Sequence, residues 1–277
     1  MFIFTIILTG YLTIMLPELY LLAVAGLLGA IVGSFLNVVI LRLPDRSQSI
    51  VFPASHCPRC SATLAWYENI PVLSYLILRG KCRHCRTTIS IQYPVVELLM
   101  ALLSVSLIYR FQLTLTAAGY FLFCAALVVI IFIDIHHQII PDVISLPGII
   151  AGFLFSLVSD AVTWQSSLIG LLVGGGVLYA VALSYALLRK IDGMGGGDIK
   201  LLAMIGAWLG WQSLPFVILV SSATGSIAGL IAMRSQKKGG QTRIPFGPFL
   251  SLAALLYTFF SREILYFYHL YATGQWP

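Results

Sequence analysis

The sequence predicts an all-α polytopic membrane protein with about eight transmembrane helices and one small polar insertion. Of its 277 residues, 59% are hydrophobic and only 9% are charged, whereas about a quarter of the residues in soluble domains are charged. The apolar residues lie in long runs, and about 20 consecutive apolar residues cross a bilayer as a helix. The net charge of +6 fits the orientation signals of a membrane protein and does not favour nucleic acid as a partner.

Eight apolar segments follow one another along the chain. The first ends before Pro44, Asp45 and Arg46, because proline cannot continue a helix and charged residues favour water. Residues 2–16 are also apolar, and they either extend this segment or precede a true start at Met15. The segment at 199–210 is short for a full crossing, so seven helices are the alternative to eight. The eight segments are 19–43, 93–109, 115–134, 142–158, 166–188, 199–210, 214–233 and 246–267.

The cationic residues indicate how these segments are oriented. If the polar insertion faces the cytoplasm and eight helices alternate, 14 of the 16 Lys and Arg residues face the cytoplasm and only Arg110 and Arg262 face outward. This is a strong positive-inside bias. A seven-helix chain would place the basic residues of 234–243 outside, so the charges predict eight helices with both termini on the outer side. The predicted cytoplasmic residues are Arg42, Arg46, Arg59, Arg79, Lys81, Arg83, Arg86, Arg189, Lys190, Lys200, Arg234, Lys237, Lys238 and Arg243.

The polar insertion divides the chain into three predicted domains. Residues 1–43 form the N-terminal transmembrane helix, and residues 44–92 form the cytoplasmic insertion. The remaining residues, 93–277, contain the other seven apolar segments and form the membrane core.

The insertion contains two C-x2-C pairs, Cys57 with Cys60 and Cys82 with Cys85, separated by 21 residues. This spacing is typical of a four-thiolate zinc site that is structural, since four protein ligands leave no position for a reactive water. Disulfides are the alternative, but the predicted cytoplasmic side is a reducing compartment. Iron–sulfur ligation also remains possible and is less favoured. Three further residues are expected to lie outside this site: His56 and His84 as exposed neighbours, and Cys124 as a buried small hydrophobe.

Carboxylates stand at the ends of several membrane segments. Under the predicted topology Asp134, Asp142 and Asp198 reach the same cytoplasmic face. Helix capping is an alternative role for Asp142 and Asp160, because acids favour helix N-termini. Capping does not explain Asp134, which ends a helix, and four glycines in 193–197 precede Asp198. Acids at the edge of a bilayer are costly, so we interpret Asp134 and Asp198 as functional.

Two aspartates that lie close together can act as a catalytic dyad. They do not both ionise easily, so one holds a proton while the other accepts one from water. The water then attacks an amide carbonyl, and the sequence alone does not assign acid and base within the pair. Neither a G-x-S-x-G nor an H-E-x-x-H motif is present. His136 and His137 are interpreted as interfacial polar residues and not as metal ligands, since adjacent side chains diverge.

These motifs together resemble the bifunctional type IV prepilin leader peptidases and N-methyltransferases, which also serve type II secretion pseudopilins. The Gly-x-Gly-Asp signature is shared with presenilin-like intramembrane aspartyl proteases. The resemblance covers nearly the whole chain, and its motifs occur in the family's order. The matching stretches are Gly33–Val39 before Arg42-Leu43-Pro44, the two C-x2-C pairs, Glu68–Ser74, Tyr93–Glu97, Asp134 to Pro141-Asp142, and Gly195–Asp198.

The resemblance implies that Asp134 and Asp198 are the catalytic dyad of a membrane aspartic endopeptidase. It also implies cleavage of a short basic leader, just after a glycine, at the cytoplasmic face of a bacterial inner membrane. The new N-terminal residue, often Phe, would then be methylated with S-adenosylmethionine as methyl donor. Prepilins or pseudopilins and the lipid bilayer are the implied partners. Residues that bind the methyl donor are not identifiable from the sequence.

Two other functions are compatible with parts of the pattern. An ion- or proton-coupled transporter could use Asp134, Asp198 and Glu97 as a relay, but the two halves of the chain show no internal repeat. A non-enzymatic scaffold would leave the glycines before Asp198 without a purpose. Glu97 itself has two interpretations: it binds a substrate amine, or it pairs with a nearby arginine.

Overall fold

The computed structural model describes residues 2–45, 49–189, 195–236 and 244–274. Within these ranges the secondary structure consists of α-helices, two short 3-10 helices at Trp66–Asn69 and Trp211–Ser213, and two isolated β-bridges. The predicted all-α class is therefore confirmed. The α-helices are α1 (Phe2–Arg42), α2 (Leu73–Ile77), α3 (Gln92–Phe111), α4 (Leu115–His137), α5 (Asp142–Val158), α6 (Trp164–Arg189), α7 (Gly196–Leu209), α8 (Leu214–Gln236) and α9 (Gly247–Thr273).

Each of the eight predicted apolar segments coincides with one of the helices other than α2. Six spans among the described residues are long and apolar enough to cross a membrane. α5, with 17 residues, and α7, with 14, are shorter. A multi-pass membrane protein is thus confirmed, while the number of eight crossings stays a prediction. The six spans are Glu18–Arg42, Gln92–Phe111, Leu115–His137, Trp164–Leu188, Trp211–Arg234 and Gly247–Thr273.

Two groups of residues used in the predictions from the sequence lie outside the described residues. They are the first two residues of the glycine-rich stretch, Gly193 and Met194, and five of the cationic residues, Arg46, Lys190, Lys237, Lys238 and Arg243.

Contacts divide the chain into two compact units, Met1–Ala117 and Ala118–Pro277. We call them unit 1 and unit 2. The three predicted domains, 1–43, 44–92 and 93–277, remain a prediction about the sequence.

In unit 1, helix α1 packs closely along α3 because glycines of α1 face the α3 backbone. A Cβ atom added at Gly29 would lie 2.5 Å from the carbonyl oxygen of Met100, and one added at Gly33 would lie 2.8 Å from the Cα atom of Glu97. Small residues at such positions let helix backbones approach each other inside a bilayer, where van der Waals packing drives association. This close approach brings the polar residues of the two helices together.

In unit 2, the short helix α7 forms the centre of the packing. Its residues from Leu201 to Leu209 are all buried, as expected of a helix that is hydrophobic around its whole circumference. It contacts α5, α6 and α9. The indole Nε1 of Trp208 donates to the carbonyl oxygen of Gly148 in α5 at 2.8 Å, which satisfies the polar end of this buried side chain.

Two local features fix the ends of the helices that carry carboxylates. α4 ends at His137, and Gln138 adopts φ +54°. α5 begins after Pro141, whose φ of −67° suits the residue before a helix. The connection between α4 and α5 is therefore short, and it keeps Asp134, in the last turn of α4, near Asp142, the first residue of α5.

Candidate active site and metal centre

Asp134 and Asp198 line the same cleft in unit 2. Asp134 lies in the last turn of α4, and Asp198 is the third residue of α7. The cleft has a volume of about 260 Å³ and is lined by Asp134, Gln138, Ile139, Ile140, Asp142, Gly195, Gly197 and Asp198. The structure thus brings together the two residues that the sequence singled out.

The carboxylate of Asp134 is held by the beginning of α9. Its side chain is 4% exposed, and its Oδ2 atom accepts a hydrogen bond of 2.9 Å from the backbone N–H of Gly247. The first N–H groups of a helix have no partner within the helix, so they are available to an acceptor. Pro248 follows within the first two positions of α9, where proline favours helix initiation.

Glycine at position 247 is required by this contact. A Cβ atom added there would lie 2.6 Å from Oδ2 of Asp134 and 3.2 Å from Cδ1 of Ile140. A larger residue would therefore displace the carboxylate. Gly247 could not be identified from the sequence: the stretch Pro245-Phe246-Gly247-Pro248 signals a helix start, but it does not indicate which carboxylate accepts the Gly247 N–H.

Gly197 has a related role on the other side of Ile140. A Cβ atom at Gly197 would lie 2.9 Å from the Cβ atom of Ile140. The start of α7 therefore approaches the α4–α5 connection more closely than an alanine would permit. Gly196, by contrast, has no atom within 4 Å of its added Cβ position, so its lack of a side chain is not explained by packing.

Asp142 also lines the cleft, at its rim. Its Oδ1 atom forms a 2.7 Å ion pair with Nζ of Lys200, which follows Asp198 by two residues on α7. Asp142 is the first residue of α5, so the field of that helix also favours its negative charge. Both side chains are partly exposed, so the pair stabilises the fold little. It does, however, place one cation next to a carboxylate at the rim of the cleft.

The remaining candidates lie elsewhere. Asp160 is exposed in the turn between α5 and α6, before the first residue of α6. His136 and His137 are exposed, and Nδ1 of His136 contacts the carbonyl oxygen of Phe132 at 2.7 Å. This agrees with their interpretation as interfacial polar residues.

The four cysteines of the insertion form one cluster in unit 1. Their sulfur atoms lie within 4.8 Å of one another, and Sγ of Cys57 is 3.8 Å from Sγ of Cys85. Four ligands about 2.3 Å from a tetrahedral zinc ion stand about 3.8 Å apart. All four thiols are free, so the predicted pairs meet as a metal-type cluster and not as disulfides. Cys124 is buried in α4, as expected.

The two halves of this cluster repeat the same backbone structure. The N–H of Cys57 donates to Ala62, and the N–H of Cys82 donates to Thr87 in the same way. Isolated bridges pair His56 with Thr63 and Lys81 with Thr88. The residue after each second cysteine, Ser61 and Arg86, has φ of +55° and +57°. Each C-x2-C pair therefore sits on a tight turn of the same shape.

The backbone of the first turn also favours a thiolate. The N–H groups of Cys60 and then Arg59 stabilise the negative sulfur and lower the pKa of Cys57 to about 6. Zinc binds the thiolate form of cysteine. His56 contacts the carbonyl oxygen of Ala54 through Nδ1 at 3.0 Å. The donor set and its geometry thus fit zinc.

Comparison with known protein families shows to which family the chain belongs. Residues 27–111 match the family described as "Bacterial Peptidase A24 N-terminal domain", and residues 121–230 match the "Type IV leader peptidase family". The chain belongs to the type IV leader peptidase family. The second match contains both Asp134 and Asp198, and the first contains all four clustered cysteines.

Curated relatives carry one name, "Prepilin leader peptidase/N-methyltransferase". That of Aeromonas salmonicida is 39% identical over 279 residues, covering 91% of this chain and 95% of the relative. That of Pseudomonas aeruginosa is 38% identical over 260 residues, covering 86% and 90%. That of Burkholderia pseudomallei is 37% identical over 269 residues, covering 88% and 87%. No solved structure matches the chain at a significant level.

Replacing a clustered cysteine is expected to release the metal. In Cys57→Ser and Cys82→Ser, loss of one thiolate opens the coordination sphere, so bound zinc per purified chain and the folded yield should both fall. Elemental analysis by mass spectrometry measures the zinc. Cys124→Ala, which removes a thiol outside the cluster, is the control and should keep its zinc. Full retention of zinc in both serine variants contradicts the four-thiolate site.

Under the prediction that Asp134 is catalytic, Gly247→Ala should impair peptide-bond cleavage. The added methyl group displaces Oδ2, and misplacement of a catalytic group by about 1 Å costs up to about 100-fold in rate. We expect kcat to fall about 10- to 100-fold while KM for the substrate changes little.

Gly176→Ala is the matched control for this substitution, because no atom lies within 4 Å of the added Cβ. A wild-type kcat in Gly247→Ala would show that the Gly247 contact does not position Asp134. The double variant with Ile140→Val should also remain slow relative to Ile140→Val alone, since relief at Ile140 does not move the methyl group away from Oδ2.

Proposed function

We propose that the chain cleaves the leader peptide of type IV prepilins and then methylates the new N-terminal amine. One observation carries the peptidase half of this proposal: two aspartates from separate helices, Asp134 and Asp198, line one cleft in a member of the type IV leader peptidase family. The names of the relatives support both activities.

The proposed cleavage uses the two carboxyl groups as a dyad with one shared proton. The ionised member takes a proton from water, whose oxygen attacks the carbonyl carbon of the scissile amide. The protonated member donates to the carbonyl oxygen and stabilises the developing charge. Collapse of this adduct breaks the C–N bond, and the departing nitrogen receives a proton from the dyad. The Gly247 N–H holds one oxygen of Asp134 in place during these steps.

The proposed substrate is a prepilin or a type II secretion pseudopilin whose apolar helix lies in the bilayer. Its short, positively charged leader reaches the cleft from the cytoplasm and is cut just after a glycine. The positive-inside distribution of Lys and Arg supports a cytoplasmic cleft in the bacterial inner membrane. Carboxylates at the cleft also favour a cationic leader, and Asp142 at the rim is the most exposed of them, at 56%.

The proposed ligands of the protein are a structural zinc ion and the methyl donor S-adenosylmethionine. Cys57, Cys60, Cys82 and Cys85 would hold the zinc, and four thiolates leave no position for a reactive water. Zinc would therefore stabilise the insertion without entering either reaction. The methyl donor supplies a methyl group attached to a positively charged sulfur.

Ion transport and a non-enzymatic scaffold, the two alternatives from the sequence, are not supported. The chain belongs to a peptidase family, and its relatives are named as enzymes. No further candidate function is needed to account for the cleft.

Removing either carboxylate is expected to abolish cleavage. Asp134→Asn and Asp198→Asn each remove a group that transfers a proton, and such groups contribute about 10²- to 10⁴-fold to rate. The measurement uses membranes that contain equal amounts of each variant. Removal of the leader from an added prepilin is detected as a change in its mobility on a gel. Asp160→Asn, an exposed acid outside the cleft, should cleave normally. Wild-type processing by either cleft variant contradicts the dyad.

Methylation is expected on the cleaved product. Mass spectrometry of the mature pilin N-terminus should show a mass increase of one methyl group when the wild-type enzyme and the methyl donor are present. The same peptide from Asp134→Asn membranes should remain uncleaved and unmethylated. A cleaved but entirely unmethylated wild-type product would remove the second activity and leave the peptidase assignment intact.

A further inference from the structure

Unit 1 buries polar side chains that the proposed cleavage reaction does not use. Asn37 in α1 is 1% exposed, and Glu97 in α3 is 6% exposed. Both lie in helices that are otherwise apolar and long enough to span a membrane. A buried polar group is retained at a cost unless it is fully hydrogen-bonded, and acids in such segments indicate function.

Asn37 is only half satisfied by its surroundings. Its Nδ2 group donates to the carbonyl oxygen of Tyr93 at 3.1 Å and to that of Gly33 at 3.3 Å. Its Oδ1 atom is buried and has no hydrogen-bond partner among the described residues. If Asn37 served only to link α1 to α3, its Nδ2 donor would be sufficient and its Oδ1 acceptor would not be needed. The unmatched oxygen therefore needs a separate explanation.

Glu97 lies on the same helix contact, one turn along α3 from Tyr93, the backbone partner of Asn37. Gly33, one turn before Asn37, is the residue whose added Cβ would meet the Glu97 backbone. The Ser34 side chain lies near the Glu97 carboxylate. Oε2 of Glu97 also accepts a 2.8 Å hydrogen bond from the backbone N–H of Val72. We call Ser34, Asn37 and Glu97 the polar cluster.

The contacts of Glu97 separate the two interpretations made from the sequence. Among the described residues Glu97 forms no ion pair with an arginine; it accepts an N–H group instead. Val72, which supplies that group, has φ of +62°, a strained conformation for a β-branched residue. The backbone thus adopts an unfavourable geometry where it delivers an N–H to this carboxylate.

The chemistry of the polar cluster specifies its ligand. The amide oxygen and the carboxylate accept hydrogen bonds, and an ionised carboxylate also attracts a positive charge. A primary amine is the group that supplies several N–H donors at one atom together with that charge. A neutral hydroxyl supplies one donor and no charge, and an anion would be repelled by the carboxylate.

We propose that the polar cluster binds the primary amine that takes part in methylation, with Glu97 as its charged partner and Asn37 Oδ1 as its second acceptor. This inference rests on the methyltransferase activity proposed above. The amine nitrogen gives one N–H proton to Glu97 and forms a bond to the methyl carbon, while the electron pair of the broken carbon–sulfur bond stays on sulfur. The amine of the cleaved polypeptide is the expected ligand; the amino-acid end of the methyl donor carries the same group.

The test compares binding of two peptides to the full-length enzyme in detergent micelles. Both have the sequence of a mature pilin N-terminus; one has a free amine and the other is N-acetylated. Fluorescence anisotropy gives their affinities, and calorimetry gives the affinity for the methyl donor. The wild-type enzyme should prefer the free amine by about 10- to 100-fold, as for a hydrogen bond to a charged group.

Glu97→Gln is the decisive variant, because glutamine keeps an oxygen for Val72 and so preserves the fold. It should lose the preference for the free amine, and methyl transfer should fall at least tenfold more than leader cleavage. If the affinity for the methyl donor falls and the preference for the free amine is kept, the cluster holds the amine of the donor, and the proposed role of Glu97 toward the accepting amine is wrong. Glu18→Gln, an exposed acid in the same unit, is the matched control and should behave as wild type.

Three results would overturn the proposal. One is an unchanged preference for the free amine in Glu97→Gln together with unchanged donor affinity. Another is an equal loss of cleavage and methylation, which indicates a structural role. The third is loss of amine preference in Glu68→Gln alone, since Glu68 is also buried with an unpartnered oxygen. An unmethylated product from the wild-type enzyme would instead refute the proposed methyltransferase activity, so the two failures are distinguishable.

Discussion

A carboxylate that is removed from water requires donors, and unit 2 supplies one to Asp134 from the backbone of α9. The 2.9 Å hydrogen bond from Gly247 constrains several features at once. α9 has to begin beside the last turn of α4, position 247 cannot carry a side chain, and Ile140 has to fit between that glycine and Gly197. A backbone donor has no rotamers, so it fixes the carboxylate more rigidly than a serine or lysine side chain would.

Unit 1 meets the same requirement with different means. Its close α1–α3 contact, made possible by glycines on α1, places Asn37 and Glu97 in the same helix contact. The carboxylate of Glu97 again accepts a backbone N–H, here from Val72 in the insertion. The insertion is thus tied to the helices by a hydrogen bond to a buried acid as well as by the chain itself. The four clustered cysteines lie within the insertion, outside both proposed reactions.

Much of this organisation could be predicted because it depends on residues that have a strong local signature. The apolar segments, the C-x2-C pairs and the shared face of Asp134 and Asp198 all follow from composition, spacing and charge. The contact between Asp134 and Gly247 joins residues 113 positions apart, and a backbone N–H leaves no mark in the sequence. The hydrogen bond from Asn37 to the carbonyl oxygen of Tyr93 spans 56 positions. A backbone carbonyl likewise leaves no mark in the sequence, so this contact could not be predicted. Asp142 has a partner, Lys200, that only the packing of α5 against α7 reveals.

The shortness of α7 has a consequence for how the protein is made. Its 14 residues are about 21 Å long at 1.5 Å per residue, less than the hydrocarbon thickness of about 30 Å. Such a segment gains too little from lipid alone to insert by itself, and its burial from Leu201 to Leu209 depends on the helices around it. Asp198 therefore reaches Asp134 only after unit 2 has assembled. A chain in which α7 has not yet packed therefore lacks the proposed dyad.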